Sequence, residues 1–498
     1  MRASRSLPRK PLSLPPSTRF VTRRLNSTKA PCTAYTSVTH PDGALPTASA
    51  SPKNVLQVYA RPPFVLSHGK GSWVYTVPTS DSKTADVEER KYLDFTSGIA
   101  VNALGHADPE FAQVMGEQAA TLLHTSNVFW NKWAGSLAGL IVEVTKREGG
   151  LGLSKDGEDG AKVFFANSGT EANEGAFKFV RKIGKEVWSQ KTLGQAWTPP
   201  STDAPNASTT QACPKYRIAC FANAFHGRSM GAVSATPNPK YQQPFEPLIP
   251  GIDVGELNDV EGLEKLIGED TCGVIVEPIQ GEGGLAVANL EWLRALRKRC
   301  DEVGAVLIFD EIQCGLYRTG TLWAHSSYPK DCQPDIVTMA KPLANGYPIG
   351  AIMLREKFAP HIAIGSHGTT FGGSPLATRL GHHVLSRLSA PNFVSHVRDA
   401  ASHLHARLAP LPTLFPTLLL PSVRGRGLLT GLGFKDSADP GILLKMMRER
   451  GVLILTAGKD AVRIVPSLIV KTEELDFACD VLESCLIEMQ KEKKGTSA

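Results

Sequence analysis

The stretch VTMAKPLANGYPIGA, residues 337–351, carries one charged side chain, Lys341. Its neighbours Met339, Ala340, Pro342, Leu343 and Ala344 are apolar or small, and no carboxylate lies beside it. A lysine normally keeps its ammonium in water. An amine with a reference pKa of about 10.4 in this setting has two readings. It is an ordinary loop lysine whose head reaches solvent, or a desolvated amine that condenses with an aldehyde.

Other residues suggest a partner for such an amine. Asp310 closes the apolar run AVLIFDE (305–311), where an unpaired carboxylate is costly. Its partner is a protonated pyridine nitrogen or an arginine from elsewhere, and Gln313, at the same strand mouth, can donate to a phenolic oxygen. NAFHGRSMG offers Phe225 as an aromatic plate, followed by Arg228. In FFANSGTEANEG, Ser168 and Glu171 form an S-x-x-E capping box. The helix it opens presents the N–H groups of Gly169 and Thr170 at its N-terminus, a natural phosphate site, or is a well-capped helix and nothing more. VEPIQGEGG places Glu277 and Glu282 among three glycines, which let backbone pass close to a ligand. A reactive lysine, a phosphate cradle, a carboxylate for a ring nitrogen and an aromatic plate are together what pyridoxal phosphate needs.

Positioning these groups requires strands that end where they sit. The runs KVFFA (162–166), RIACF (217–221), CGVIVEP (272–278) and AVLIFDE read as continuous apolar strands, so both of their faces are covered. They alternate with helical patterns: LEWLRALRKRCDEVG, and the segment after Ala166 with Ala172, Ala176, Phe179, Val180 and Ile183 on one face. That alternation predicts an α/β fold with a mainly parallel sheet wrapped by helices, and ligands collect at the carboxyl ends of such strands. The expected organisation is a leader over 1–45, an N-terminal segment over 46–110, a large domain over 111–375 and a smaller α+β domain over 376–498. The small domain has strands in LLTGLGF, GVLILT and VRIVPSLIV and a closing helix near 473–490. Residues 196–213 are a polar, Pro-rich surface insertion.

The chain has 498 residues and a formal charge of +6, but the charge is unevenly placed. Eight of its bases and no acid fall within residues 1–41, and without them the body is close to neutral. This argues against nucleic acid or an anionic membrane as partner. No apolar run approaches the roughly 20 residues that cross a bilayer. The basic, Ser-, Thr- and Pro-rich head lacks a secretory apolar core and fits a mitochondrial transit peptide, with TRRLNS (22–27) a plausible processing region; the other reading is a basic tail without an address. The nine cysteines show neither a CxxC pair nor zinc spacing, so free thiols and no metal are expected.

Seven ordered blocks carry a resemblance: YLDFTSGIAVNALGH, NSGTEANEGAFK, FHGRSMGA, VEPIQGEGG, FDEIQCG, MAKPLANGYPIGA and HGTTFGGSPLA. From about residue 55 to the C-terminus the chain resembles the class III, ω-amino-acid:oxoacid aminotransferases, most similar to members that use N-acetylornithine. The resemblance implies a fold type I, aspartate-aminotransferase-like architecture, usually a homodimer, with pyridoxal 5′-phosphate as cofactor. Lys341 would hold the cofactor's aldehyde carbon and shuttle the proton, and Asp310 would keep the ring nitrogen protonated. Gln313 would approach the phenolic oxygen, while Phe225 stacks on the ring and His226 joins the cofactor set. Ser168, Gly169 and Thr170 would take the phosphate, with Thr370 reaching it from the neighbouring subunit. Arg463 would receive the α-carboxylate of 2-oxoglutarate or glutamate, with Glu282 pairing to it while the amino donor is bound. Arg228 would hold the distal carboxylate of acetylornithine.

The implied reaction moves the δ-amino group of N2-acetyl-L-ornithine to 2-oxoglutarate in arginine biosynthesis, in the mitochondrial matrix. Ile99 stands where ornithine-specific relatives place a tyrosine. Competing readings are an ornithine or 4-aminobutyrate-type aminotransferase, an aminomutase or decarboxylase, and a non-catalytic relative. The Glu282/Arg463 pair speaks against the second, and intact Lys341 and Asp310 against the third. Two departures from the family pattern stand out: Ser374 where asparagine is common, and the pair Leu316-Tyr317 where small pairs are usual.

Overall fold

The computed structural model describes residues 30–42, 54–77, 79–80, 87–198 and 213–495. An antiparallel hairpin, β1 (Leu66–Lys70) and β2 (Trp73–Thr76), is extended by β3 (Lys91–Asp94). The central sheet comprises β4 (Ala161–Ala166), β5 (Arg217–Phe221), β6 (Ile252–Gly255), β7 (Thr271–Val276), β8 (Val306–Asp310), β9 (Ile336–Met339) and β10 (Gly350–Arg355). Their order is β4-β10-β9-β8-β7-β5-β6; six strands run one way and β10 runs against them.

The apolar runs are continuous because successive side chains enter two different cores. Ile218, Cys220, Ile275, Val306 and Ile308 pack with Ala172, Ala176, Phe179, Val180 and Ile183 of helix α1 (Gly169–Leu193). Their neighbours Ala219, Phe221, Val274, Val276, Leu307 and Phe309 pack on the other face with Trp292, Leu293, Leu296 and Cys300 of α2 (Leu290–Val303). Each buried Leu, Ile or Phe contributes roughly 1.5–3 kcal/mol. The sheet is therefore held from both sides, and its C-terminal edge becomes a rigid mount.

C-terminal to it, β11 (Leu419–Arg426), β12 (Leu429–Phe434), β14 (Leu455–Ala457) and β15 (Ala461–Ile464) form an antiparallel sheet in the order β11-β12-β15-β14. Between them, β13 (Val452–Leu453) leaves this sheet and pairs parallel to β3, so the N-terminal sheet is completed by a C-terminal strand. GVLILT is thus two short strands, and VRIVPSLIV stops being a strand at Ile464, just before Pro466, which has no N–H to donate. Helix α3 (Pro375–Leu388) packs against the Lys341–Ala344 turn and the helices Pro109–Thr121 and Lys132–Glu148, and the closing helix is α4 (Thr472–Gly495).

Residues 1–29 and most of the insertion lie outside the described residues, but the expected leader extended to residue 45, and residues 31–42 are fastened to the body. Cys32 N donates to Glu483 at 2.7 Å, and the Tyr35 ring meets Phe477 edge-on at 5.3 Å. Arg450, buried, donates to the carbonyls of Tyr35 and Thr36 at 2.7 and 2.9 Å, and Asp42 pairs with Arg448 at 2.6 Å. Among the described residues no helix is long and apolar enough to cross a membrane.

Candidate active site

Asp310 is the last residue of β8 and is 3% exposed. Its carboxylate accepts from Asn173 Nδ2 and His226 Nδ1, both at 2.8 Å, and from Ile312 N at 3.0 Å. Asn173 also donates to the carbonyl of His226 at 2.8 Å, and Thr236 Oγ1 accepts from His226 N at 2.9 Å. The strand end is thereby locked to the Phe225–His226 loop, and Nε2 of the buried His226 ring is left without a hydrogen-bond partner. Glu277, beyond β7, accepts from Phe225 N at 2.8 Å and Gly281 N at 3.0 Å. Burial, and then the nearby Asp310 charge, outweigh the His226 contribution and lift its carboxyl to about 7.

Lys341 opens a single 3-10 turn, Lys341–Ala344, directly after β9. Its amine makes no hydrogen bond or ion pair among the described residues. Burial, then the positive charge of Arg463, pull its pKa down to about 8 against the opposing pull of Glu277, Asp310 and Glu282. The loop is pinned by Asn345, whose side chain accepts from Leu104 N at 2.7 Å and donates to the carbonyl of Gly105 at 3.2 Å.

From β15, Arg463 enters the same space, 2% exposed. It donates to Gln313 Oε1 at 2.6 Å, to the carbonyl of Gly281 at 3.0 Å and to Glu282 Oε2 at 3.0 Å. Burial lowers the guanidinium pKa while Glu282 raises it. Gln313's carbonyl is thus occupied by Arg463, and its amide N–H₂ is left to donate elsewhere.

At the start of α1, Ser168 Oγ accepts from Glu171 N at 3.3 Å. The Glu171 carboxylate reaches back to Asn167 N at 2.7 Å, one residue before the cap, so the box is shifted from the expected reciprocal pair. Thr170 Oγ1 lies 2.6 Å from Ser229 Oγ. Two glycines keep this corner open. A Cβ on Gly350 would strike the Ser168 backbone, and one on Gly227, at φ 138°, would strike the Thr170 side chain. Asn173, one turn along α1, ties the corner to Asp310.

The structure brings together Lys341, Asp310, His226, Phe225, Gln313, Arg463 and Glu282, with Ser168, Gly169 and Thr170 at the adjoining helix end. Arg228 is exposed, its guanidinium 3.6 Å from the centroid of the Tyr241 ring. Ile99 lies in a turn where Ser97, Gly98, Ile99 and Ala100 all have positive φ, a strained arrangement for a β-branched residue. Ala100 packs in one cluster with Leu285 and Cys314, which places that turn beside the Glu282 loop. Thr370 stands apart, exposed, while Thr369 hydrogen-bonds to Glu171 and Asn167.

Asn173 and Tyr241 were not found from the sequence. A fully buried asparagine among the alanines of α1's core face is a readable signal for the first; nothing local marks Tyr241. The two departures also have physical accounts. Ser374 caps α3, accepting from Ala377 N at 3.3 Å. Leu316 and Tyr317, at φ 53° and 69°, are buried in a left-handed turn, and the Tyr317 hydroxyl donates to Glu148 at 2.6 Å. Small residues suit that backbone better, which costs roughly 1–2 kcal/mol per residue otherwise.

These groups fit pyridoxal 5′-phosphate. An amine without a polar partner, an unengaged amide donor and a carboxylate pinned at a strand end surround a corner that glycines keep clear. Fold and site define a fold type I enzyme dependent on pyridoxal phosphate. Residues 67–486 match the family model described as aminotransferase class-III, and the chain belongs to that family. It is 47% identical over 454 residues to the mitochondrial acetylornithine aminotransferase of Neurospora crassa, covering 90% of this chain and 89% of that one. Among solved structures it is similar to the ornithine aminotransferase of Toxoplasma gondii (TM-score 0.72, 28% identity, 89% and 94% of the two chains). It is also similar to the N-acetylornithine aminotransferase of Stenotrophomonas maltophilia (TM-score 0.65, 31% identity, 86% and 97%).

Proposed function

We propose that this enzyme transfers the δ-amino group of N2-acetyl-L-ornithine to 2-oxoglutarate, yielding N-acetyl-L-glutamate 5-semialdehyde and L-glutamate, in the mitochondrial matrix. The observation that carries this reading is the buried Arg463 beside Lys341, whose one salt bridge among the described residues is to a carboxylate, Glu282, that is itself 35% exposed. A removable counter-ion suits a site that must accept a dicarboxylate in one half-reaction and a differently charged amine in the other.

Bound here, pyridoxal 5′-phosphate supplies the carbonyl carbon that exchanges amino groups and a ring that withdraws electrons from the substrate carbon. The Gly169 and Thr170 N–H groups at the α1 N-terminus receive its phosphate, where the helix dipole favours an anion. Asp310 would keep a proton on the ring nitrogen, and Asn173 and His226 hold Asp310. Phe225 would pack on the ring face, and Gln313 would donate from its free amide to the phenolic oxygen. Lys341 carries the proton to and from the substrate's reacting carbon; its depressed pKa suits a base working near neutral pH. Arg463 takes the α-carboxylate of 2-oxoglutarate when Glu282 swings away, and Arg228 takes the carboxylate at the far end of acetylornithine.

The working unit is a homodimer in which Thr370 meets the phosphate of the facing subunit. Exposed Val128, Phe129, Trp130, Ile364 and Phe371 support this, because the 124–131 segment and the Thr369–Gly373 loop are joined by Asn127, Asn131 and the His124–Phe371 ring pair. Apolar surface of that kind marks an interface. Purified protein given N-acetylornithine and 2-oxoglutarate should form glutamate and the semialdehyde one for one, and Lys341→Ala should form neither. Turnover by Lys341→Ala at the native rate would end this reading.

A further inference from the structure

The guanidinium of Arg228 makes no hydrogen bond and no ion pair among the described residues, although its five donors stand next to a strongly polar site. What it does touch is aromatic. Its central carbon lies 3.6 Å from the centroid of the Tyr241 ring and 5.7 Å from that of Phe225. Those two rings meet edge-to-face at 6.0 Å and 84°. Arg228 is therefore held by π-faces alone, which leaves its planar fork free for a bidentate carboxylate.

Tyr241 is firmly mounted. It sits in a single helical turn, Pro239–Gln242, capped by Asn238, whose side chain accepts from Lys240 N at 3.1 Å. Gln242 ties the turn to the body by donating to the carbonyls of Val233 and Ser234 at 3.0 and 3.1 Å. The phenol also senses the Glu282 end of the site. Its pKa is raised, by burial first and by Glu282 next, against Arg228 and Arg463, so it stays neutral at working pH.

We propose that Tyr241 is the positioning residue for substrate specificity: its ring face orients Arg228 so that the guanidinium edge meets the carboxylate at the far end of the amino donor. The proposal rests on the assignment of that carboxylate to Arg228. A cation free to rotate in solvent would lose the orientation that makes two parallel N–H···O bonds, and with it much of the selectivity for carboxylate-bearing amines over plain ones.

The test uses the cofactor-loaded enzyme and two probes. N-acetyl-L-norvaline keeps the acetamide and carboxylate of the donor but has no reacting amine, so calorimetry reads binding without turnover. n-Pentylamine has an amine and no carboxylate, so its single-turnover rate reads the rest of the site. Tyr241→Leu and Tyr241→Met should weaken N-acetylnorvaline about tenfold, a change of about 1.4 kcal/mol, within the span of cation–π contacts. Tyr241→Phe should stay within about twofold of native, and the pentylamine rate should be unchanged in all three.

If Leu and Met variants bind N-acetylnorvaline as tightly as native while Arg228→Ala does not, Tyr241 has no positioning role and the carboxylate assignment stands. If Arg228→Ala also binds as native, the assignment itself fails. A Phe variant as weak as the Leu variant, or a pentylamine rate that falls in parallel with binding, overturns the proposal by pointing to the hydroxyl or to general distortion. Should the Leu variant not fold, the Met variant, whose flexible side chain adapts to the space left by the ring, decides.

Discussion

Replacing Glu282 with glutamine keeps its size and removes its charge. The carboxylate lies 3.0 Å from Arg463 Nη2, and the two side chains are 35% and 3% exposed. Two unit charges about 4 Å apart interact by about 4 kcal/mol at an effective dielectric of 20 and about 1 kcal/mol in water. Because Glu282 is more than a third exposed, solvent screening brings the pair toward the lower figure, roughly 1–2 kcal/mol. In the native enzyme 2-oxoglutarate must displace this partner before its own carboxylate meets Arg463. Glu282→Gln removes the competitor, so 2-oxoglutarate should bind the amine-loaded enzyme about 5- to 30-fold more tightly. Stopped-flow absorbance of the second half-reaction, run against 2-oxoglutarate concentration, measures this directly. The same variant should show inhibition by 2-oxoglutarate of the first half-reaction at correspondingly lower concentration. Unchanged or weaker 2-oxoglutarate binding would refute the counter-ion argument.

Further outcomes follow from other contacts. The Lys341 amine, with its pKa lowered to about 8 by burial and Arg463, should capture added pyridoxal phosphate faster as pH rises, with a midpoint near 8; a midpoint above 10 would mean an ordinary solvated lysine. The sign is fixed by the free base being the nucleophile, and the same lowered pKa makes this group's contribution to the cofactor-free protein's stability rise between pH 8 and its unfolded value. Asp310→Asn should lower kcat by on the order of 10²–10³, and unchanged kcat would leave Asp310 a purely structural role. A chain beginning at residue 31 should melt like the full chain, whereas one beginning at 43 should melt a few degrees lower. Removing residues 31–42 strands Arg450 donors that now serve Tyr35 and Thr36, at roughly 1–3 kcal/mol, and equal melting of the two chains would show that the strap contributes nothing. Ile99→Gly should stabilise by about 1 kcal/mol by relieving a left-handed β-branched residue, and a lower melting temperature would refute that.

What could be read from the sequence follows from the range over which each feature is determined. β8 and α1 were legible because period, apolar run and cap are local, and the residues that end those elements fell at the site for the same reason. Arg463, and the roles of Glu282 and Arg228, came from motif resemblance, since nothing in a strand such as AVRI says which way its arginine faces. Asn173, His226 and Asp310 meet across 84 and 137 residues of chain, a closure that only the folded sheet produces. The docking of residues 31–42 is not legible locally because they share the Ser, Thr and Pro content of the head before them, while their order comes from Arg450, Glu483 and Phe477 more than 400 positions away. The strand in VRIVPSLIV stops at Ile464 because Pro466 has no N–H to give a ladder, which the apolar content of the segment alone does not show.

The central claim is that the site is built for a neutral acetamide at the far end of its amino donor. Ile99 offers no hydrogen bond to a charged α-ammonium, and leaving such a group unmatched costs roughly 1–3 kcal/mol or more. The most direct measurement is kcat/KM of the purified enzyme for N-acetylornithine, ornithine and 4-aminobutyrate with 2-oxoglutarate as acceptor. The account predicts a preference for N-acetylornithine of about 10- to 100-fold or more, narrowed in Ile99→Tyr. Equal use of ornithine or 4-aminobutyrate would contradict it.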